Sequence, residues 1–378
     1  IKRNGHGALP LGPRNRARER QNPDIVRPPS TDHGMMENMR WSFADSHTRI
    51  EDGGWTRETT VRELPTSREI AGVNMRLGAG VVRELHWHKQ AEWAYVLEGH
   101  VRITALDPDG GSFIDDLQKG DLWYFPPGFP HSLQGLGPNG TEFLLIFDNG
   151  AFSEDSTFLL TDYLAHTPKS SMAQNFRVPP EVFKMIPEKE RYIFQGSVPG
   201  PIEEEKPPAF KQSQHNFTYR MLDHPPIKAT GGVVRIVDST SFPISTTIAA
   251  GHLSINPGAM REAHWHPNAD EWSFFTSGRA RMTIFGAQGN ARTFDYTAGD
   301  VGIVPANMGH FIENLSDSEP LEVLEIFRSS QYQDFSLFNW MGQVPQRLVK
   351  EHLFENHPRA AGEFLRAVES AEKDVIKS

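Results

Sequence analysis

The feature that most constrains this chain is a six-residue motif, Arg-Glu-x-His-Trp-His, which occurs twice. The first copy spans residues 83–88 and the second spans residues 261–266. In both copies a glutamate follows within five residues, and another histidine lies about 45 residues after the first histidine of the motif. Because so dense a pattern recurs with its surroundings, we predict that the chain is a tandem duplication.

Other landmarks recur in the same order. Pro65, Ile70 and Gly80 each have a match 178 residues later, and Gly120 has one 179 residues later. This period is too long for a solenoid unit and suits two domains. We therefore predict an N-terminal arm at residues 1–45, a first domain with a helical extension and linker at residues 46–210, and a second domain with C-terminal helices at residues 211–378.

Short β-forming runs, separated by turn signals, fill both repeats. Ala94 to Leu97 and Val101 to Leu106 are two such runs, and the segment from Asp107 to Gly111 carries turn chemistry. The 32 glycines and 28 prolines also suit a turn-rich β protein. The pattern predicts an all-β chain. We interpret residues 168–210, which are rich in Pro and Lys, as a linker with one short helix.

Composition excludes several classes of protein. A net charge of −10 argues against a nucleic-acid or anionic-membrane partner, although the arm carries several arginines. No run of 18 apolar residues occurs, so we expect no membrane-spanning helix. The absence of cysteine excludes disulfides, thiolate metal sites and cysteine nucleophiles.

Localisation has only weak signals in the sequence. The chain begins at Ile1 rather than Met, so we expect that an N-terminal piece was removed or lies outside this sequence. Three glycosylation sequons, at Asn139, Asn216 and Asn314, favour a secreted protein, and a cytoplasmic location is the alternative.

The repeated histidines predict two metal sites. Alternate residues of a strand face the same way, so a His-x-His pair on a strand directs two imidazoles to one point. A third histidine and a carboxylate complete a ligand set that suits manganese or iron and leaves two octahedral positions open. The predicted ligands are His86, His88, Glu92 and His131 in the first site, and His264, His266, Glu271 and His310 in the second.

Three further side chains point to the chemistry of these sites. Arg83 and Arg261 each precede the first ligand histidine by three residues, and arginine binds carboxylates through two parallel hydrogen bonds. A small dianion bound to the metal would suit such an arginine. Glu325 lies in an otherwise apolar strand, where a carboxylate needs a partner. We expect it to pair with Arg261, and an acid–base role at the second metal is the alternative.

The motifs resemble those of the cupin superfamily. Gly80-x5-His86-x-His88-x3-Glu92-x6-Gly99 is similar to the first cupin motif, and Gly120-x5-Pro126-x-Gly128-x2-His131 is similar to the second. The second repeat has both motifs as well, except that Asn307 stands where glycine is usual. This resemblance implies two tandem cupin domains, antiparallel β-barrels of jelly-roll type, with helical caps and a metal inside each barrel.

Within the superfamily, the chain most resembles the bicupin oxalate decarboxylases. Both Arg-Glu-x-His-Trp-His motifs and the segment from Phe152 to Phe158 carry this likeness. It implies two Mn²⁺ ions per chain, oxalate as substrate, and conversion of oxalate to formate and CO₂ by a radical redox mechanism that needs dioxygen. It also implies a homohexamer of two trimers.

The resemblance changes the interpretation of the loop after the first domain's last strand. Taken alone, Ser153-Glu154-Asp155-Ser156 is a typical solvated loop. In the family a glutamate in this lid donates a proton, and Glu154 matches it, whereas Asp155 replaces the usual asparagine. The second domain has no matching segment. We therefore predict that the first site is catalytic, and the role of the second metal stays open.

Other functions stay open at this point. An oxalate oxidase would form CO₂ and hydrogen peroxide at the same site, but the intact Glu154 argues against it. A bicupin dioxygenase acting on an aromatic ring is disfavoured by the paired arginines. A storage-type bicupin without activity has no need of two complete ligand sets.

Overall fold

The computed structural model describes residues 11–22, 31–32 and 36–370. Much of the predicted arm at residues 1–45, and the last eight residues of the chain, lie outside the described residues. In the part of the arm that is described, helix α1 (Arg16–Gln21) begins at Asn15, whose side chain accepts from the Arg18 N–H. Strand β1 (Arg40–Ser42) follows and adds to a sheet of the C-terminal repeat, next to residues 300–302.

The N-terminal unit comprises residues 45–224 and 241–247. Its strands are β2 (Thr48–Glu51), β3 (Gly54–Thr59), β4 (Ala71–Leu77), β5 (Val81–Trp87), β6 (Glu92–Leu106), β7 (Ser112–Gln118), β8 (Asp121–Phe125), β9 (His131–Gly135), β10 (Thr141–Phe147), β11 (Phe158–Leu159), β12 (Ile193–Gln195) and β13 (Thr218–Arg220).

These strands pair antiparallel around one apolar core. The 15-residue strand β6 turns at Gly99, whose φ of 77° suits glycine, so it pairs with β10 and β8 along one half and with β7 and β9 along the other. Val96, Ile103 and Phe143 are fully buried in the core. Each such side chain contributes roughly 1.5–3 kcal/mol of hydrophobic stabilisation, which makes the strands around the predicted ligands a rigid support.

The C-terminal unit contains the described parts of residues 1–44, 225–240 and 248–378. Its further strands are β14 (Ile227–Ala229), β15 (Gly232–Val237), β16 (Ala249–Ile255), β17 (Met260–Trp265), β18 (Glu271–Ser277), β19 (Arg279–Phe285), β20 (Ala291–Thr297), β21 (Asp300–Val304), β22 (Gly309–Asn314), β23 (Leu321–Phe327) and β24 (Phe335–Ser336).

A seven-stranded and a five-stranded antiparallel sheet make up this unit. The strand that corresponds to β6 is divided here at Gly278 into β18 and β19. Asn307 has a φ of 66°, close to the 81° of Gly128 at the matching turn. Asparagine tolerates the left-handed region better than most residues, which explains the departure from glycine. The predicted all-β fold of two cupin-like domains is confirmed.

Short helices follow the barrels in both units. Those of the N-terminal unit are α2 (Leu160–Ala165), α3 (Lys169–Phe176) and α4 (Ile202–Glu205), and those of the C-terminal unit are α5 (Leu337–Gln343), α6 (Gln346–Leu353) and α7 (Pro358–Ser370). Among the described residues, none of the helices is both long and apolar enough to span a membrane.

The segment between the repeats differs from the prediction. Residues 168–210 were interpreted as a linker with one short helix, but they contain α3, a 3₁₀ helix, α4 and strand β12, which pairs with β5. The predicted second domain began at residue 211, whereas β13 still pairs with β8 of the N-terminal unit. Short strands of three residues carry too little periodicity to be found in sequence.

One predicted sequon lies in an unsuitable place. The Asn314 side chain is buried and donates hydrogen bonds to the carbonyls of Ile255, Asn256 and Glu319. It therefore cannot carry a glycan in the folded protein, whereas Asn139 and Asn216 are exposed.

Candidate active site

Strand β5 positions the first set of predicted residues through a β-bulge. The register between β5 and β9 shifts between Arg83 and His86, and His86 then lies opposite His131. In a regular strand, residues three apart face opposite sides of the sheet, but the extra residue of a bulge corrects this. Arg83 and His86 are consequently both buried. The same shift occurs in β17 between Arg261 and His264.

The structure brings both predicted ligand sets together. In each set, one side-chain nitrogen or oxygen per residue lies within 4.8 Å of the others, and all eight residues are buried, namely His86, His88, Glu92 and His131, and His264, His266, Glu271 and His310. Buried groups of three histidines and one glutamate are a donor set suited to a divalent transition metal.

The hydrogen bonds of the histidines leave the correct nitrogen free for a metal. Nδ1 of every histidine in both sets lies 2.6–3.0 Å from a backbone carbonyl, which can only accept, so Nδ1 is the donor. Nε2 is then unprotonated and carries a lone pair that can bind a metal. Within the described residues, the Nε2 of His264 is buried and has no hydrogen-bond partner. The residues present therefore fit a metal.

Burial and nearby charges set the pKa values of several of these groups. Burial, with Arg83 nearby, lowers the pKa of His86 well below its ordinary value, and burial with Arg261 does the same for His264. Burial alone would raise the pKa of Glu92, but His131 and His88 outweigh it and hold that pKa below its ordinary value. His86 and His264 are therefore neutral and Glu92 is ionised, as ligation needs, whereas Glu271 outweighs burial at His266 and raises the pKa of that imidazole.

The glutamates are oriented differently in the two sites. Trp123 donates its indole N–H to Glu92 at 2.8 Å. At the second site the hydroxyl of Ser273 bonds to Glu271 instead. The position that matches Trp123 is Gly302, which has no side chain to donate a hydrogen bond. The Ser273 hydroxyl therefore replaces the indole as the donor to the glutamate.

A short 3₁₀ turn, Glu154–Ser156, places the predicted proton donor near the first metal set. We call residues 153–157 the lid. One carboxyl oxygen of Glu154 accepts from Arg83 at 2.8 Å and from the Tyr192 hydroxyl at 2.7 Å. All three side chains are buried, and the Arg83 guanidinium also lies over the Tyr192 ring at 4.2 Å. Two predicted residues, Arg83 and Glu154, are thus brought into direct contact.

A second carboxyl group lies behind the lid. Glu58, on β3, accepts from the backbone N–H of Glu154 at 3.1 Å and pairs with Arg62 at 3.0 Å. Burial, followed by the nearby Glu154, raises the pKa of Glu58 to about 7. The lid therefore closes over a carboxyl that prefers to be protonated.

The second set has a different arrangement around its arginine. Arg261 makes its shortest contact with Asp334, and the Tyr332 hydroxyl donates to Glu325 at 3.0 Å. The expected pair of Arg261 and Glu325 is present only as a 4.0 Å ion pair. Burial, then the charge of Glu271, raises the pKa of Glu325 to about 7.

The loop at this second set is tied to a predicted ligand. The carbonyl of Gln333 accepts from Nδ1 of His266 at 2.7 Å. In the first set the equivalent nitrogen of His88 bonds to Gln90, which lies outside the lid. The lid can therefore move without disturbing His88, whereas residues 332–334 cannot move without disturbing His266.

Sequence reasoning missed four side chains near the two sets, Tyr192, Glu58, Tyr332 and Asp334. Tyr192 lies in the segment that was interpreted as a linker, and Glu58 lies on a short strand. Tyr332 and Asp334 carried no motif, although Asp334 immediately precedes β24. Trp87 and Trp265, the central residues of the two motifs, pack against other aromatic rings.

Comparisons with known proteins agree with this geometry. The family described as Cupin matches residues 42–184 and 220–360 of the chain. Oxalate decarboxylase OxdC from Bacillus subtilis is 54% identical over 93% of this chain and 91% of its own length. A probable oxalate decarboxylase from Arthroderma benhamiae is 42% identical over 92% of this chain and 87% of its own length.

Solved structures also show similarity to an oxalate decarboxylase. A structure of B. subtilis oxalate decarboxylase, from work on its Mn(II) centres, superimposes with a TM-score of 0.93 at 51% identity, covering 100% of this chain and 98% of that one. The fold of this chain is thus shared with a relative that has manganese centres.

Proposed function

The chain belongs to the cupin family and to its two-domain oxalate decarboxylases, and on this premise we propose that it is a carboxy-lyase that converts oxalate and a proton to formate and CO₂. The observation that carries the proposal is the contact of Glu154 with Arg83 and Tyr192 beside the first metal set. The loop at the second set is tied to His266, and its one acid, Asp334, is paired with Arg261. We therefore place turnover at the first set.

The metal is proposed to be manganese in both sets. His86, His88, Glu92 and His131 would hold one ion, and the matching residues of the C-terminal unit would hold the other. Manganese, with dioxygen as the oxidant, would supply the one-electron chemistry that zinc lacks. The three-histidine, one-glutamate donor set and the manganese relative support this choice.

Arg83 is proposed to bind the substrate. Its guanidinium is buried and carries a fixed charge, which a carboxylate can meet with two hydrogen bonds. A charge held in a site shielded from water also stabilises the negative intermediate left after the C–C bond breaks. Each arginine is paired with a carboxylate, but Glu154 lies on the lid, whereas the Asp334 that holds Arg261 lies on a loop tied to His266, so we assign substrate binding to Arg83.

Glu154 is proposed to protonate the carbon atom of the fragment that remains after CO₂ leaves oxalate. When CO₂ leaves, the remaining one-carbon radical anion needs a proton and the return of the electron that was taken from oxalate to become formate, and a carboxylic acid in a closed lid supplies the proton. Tyr192 is a donor that orients Glu154, since burial, followed by the charge of Glu154, raises the pKa of the phenol well above its ordinary value. A closed lid also excludes water from the fragment.

A product assay tests the function. Manganese-loaded protein is given oxalate at about pH 4–5, where a typical glutamate is partly protonated. We expect formate and CO₂ in equal amounts. Hydrogen peroxide as the main product would identify an oxalate oxidase instead, and no turnover by protein with two Mn²⁺ per chain would refute both.

A further inference from the structure

The buried side chain of Glu84, in the first repeated motif, holds two separate segments of the N-terminal unit. One carboxyl oxygen accepts from the backbone N–H of Thr161 at 3.0 Å, and the Thr161 hydroxyl lies 2.9 Å from both oxygens. The other oxygen accepts from the N–H groups of Arg191 at 2.9 Å and Tyr192 at 2.8 Å. Charge-assisted bonds of this kind, made in a site that is only 2% exposed, are strong and directional.

The two segments border the lid. Thr161 lies just after β11, whose Leu159 pairs with His86 on β5, so it fixes the downstream end of the lid. Tyr192 immediately precedes β12, which pairs with the other part of β5. Glu84 therefore lies between the two strands that flank the predicted ligand and joins them through its side chain.

Tyr192 needs such a support because its backbone is strained. Its φ of 52° lies in the left-handed region, which a bulky aromatic residue rarely adopts. A conformation of this kind persists only where the surroundings enforce it. Glu84 bonds to both sides of Tyr192, since its carboxyl accepts the Tyr192 N–H and its own N–H donates to the Tyr192 carbonyl at 3.0 Å.

We propose that Glu84 is a positioning residue for the proton donor, because it holds both the downstream end of the lid and the phenol that bonds to Glu154. It acts through Tyr192 and Thr161 and does not touch Glu154. The inference rests on the proposed function for its consequence in catalysis. Its structural part, that Glu84 keeps the lid closed, stands independently.

The second repeat offers a matched control. Glu262 occupies the same place in the second motif, but its side chain is only half-buried. It accepts from the Ser336 hydroxyl at 2.7 Å and lies 3.7 Å from Arg261. In the described part of the C-terminal unit, no strand corresponding to β12 pairs with β17. Glu262 thus holds the end of one segment only.

The test compares Glu84→Gln with Glu262→Gln in the full-length, manganese-loaded chain. The amide introduced by Glu84→Gln would place N–H donors against the N–H of Thr161 or of Tyr192, so the cluster loses one of its two acceptor oxygens. We expect the ratio of formate to hydrogen peroxide to fall at least about tenfold, because a misplaced acid protonates the fragment less often. We also expect hydrogen exchange in residues 153–161 to become about tenfold faster.

Metal content and the control variant make these readouts specific. Glu84→Gln is expected to retain two Mn²⁺ per chain, and Glu262→Gln to keep the product ratio and lid exchange of the parent. If Glu84→Gln does not fold, Thr161→Val removes one donor and should shift both readouts less, in the same direction. A folded variant with parental ratio and parental exchange would overturn the proposal. If the parent forms no formate, the proposed function fails and hydrogen exchange alone decides the role of Glu84.

Discussion

Two buried glutamates, Glu154 and Glu325, distinguish the two metal sets at the scale of single residues. Both accept a hydrogen bond from a tyrosine hydroxyl. Glu154 lies on a lid and contacts Arg83, whereas Glu325 lies inside strand β23 and has Arg261 only at 4.0 Å. Only a group on a movable segment can both meet substrate and close over it. The chemistry is therefore expected to depend on Glu154 far more than on Glu325.

Replacing each acid by its amide tests this difference. Glu154→Gln keeps the shape of the side chain but removes the proton, so formate production should fall by a factor of about 100 or more. Glu325→Gln should lower it by less than about tenfold. Steady-state formate release at saturating oxalate measures both, with Mn²⁺ content checked for each variant. Equal losses would show that the second set takes part in turnover.

Single residues also show what sequence could and could not reveal. The eight ligands, both arginines and Glu154 were found because their spacing in a strand or their family motif is local. Tyr192 was not found from the sequence. Its hydrogen-bond partner Glu154 is 38 residues away, and Glu84, which holds the backbone of Tyr192, is 108 residues away. A contact that long-range folding creates leaves no periodic signal.

At the scale of elements, the lid couples its closure to the protonation of Glu58. The pKa of this carboxyl is raised from 4.5 to about 7, first by burial and then by the charge of Glu154, while the backbone N–H of Glu154 and the charge of Arg62 oppose the shift and Asp155 adds to it. A group whose pKa is raised in the closed state stabilises that state fully below about pH 4.5 and loses this contribution as pH rises through about 7. The full shift corresponds to at most about 3.4 kcal/mol.

Hydrogen exchange of the lid measures this effect. After correction for intrinsic exchange rates, residues 153–157 should be about tenfold better protected at about pH 5 than at about pH 7.5, since only part of the shift comes from the lid. Glu58→Gln should remove most of this difference. The same protection at both pH values in the parent would contradict the role given to Glu58.

Elements were predicted well where they were long and poorly where they were short. The runs from Ala94 to Leu97 and from Val101 to Leu106 were predicted as β structure, and both lie in the 15-residue strand β6. Strand β12 has three residues and gains its stability from pairing with β5, so the segment around it reads as a linker. Sequence periodicity cannot detect an element whose stability comes from its partner.

At the scale of the whole molecule, metal binding at both sets is expected to stabilise the fold. Each buries a glutamate and three imidazoles whose donor atoms face one another within 4.8 Å. Without a cation, the buried carboxylates lose their counter-charge and the imidazole lone pairs remain unsatisfied, which is unfavourable. Folding and metal binding are consequently linked in both units.

Chelation should reveal this linkage. Removal of metal with EDTA is expected to lower the Tm by about 10 °C in differential scanning calorimetry, because binding to the native state alone raises stability. Added Mn²⁺ should restore the Tm, and Mg²⁺, which prefers oxygen ligands, should not. A Tm unchanged by complete metal removal would show that the two sets do not stabilise the fold.

The pairing of β12 with β5 has a consequence for how a duplicated protein diverges. Two copies of a gene segment start out equal in sequence, but they are never equal in connectivity. The first copy is followed by a connector that reaches the second, and here that connector supplies Tyr192 to the first copy's own site. The second copy instead closes its site with its own loop, which bonds to His266. Chain order alone can thus give the two repeats different segments around their sites, before any ligand changes.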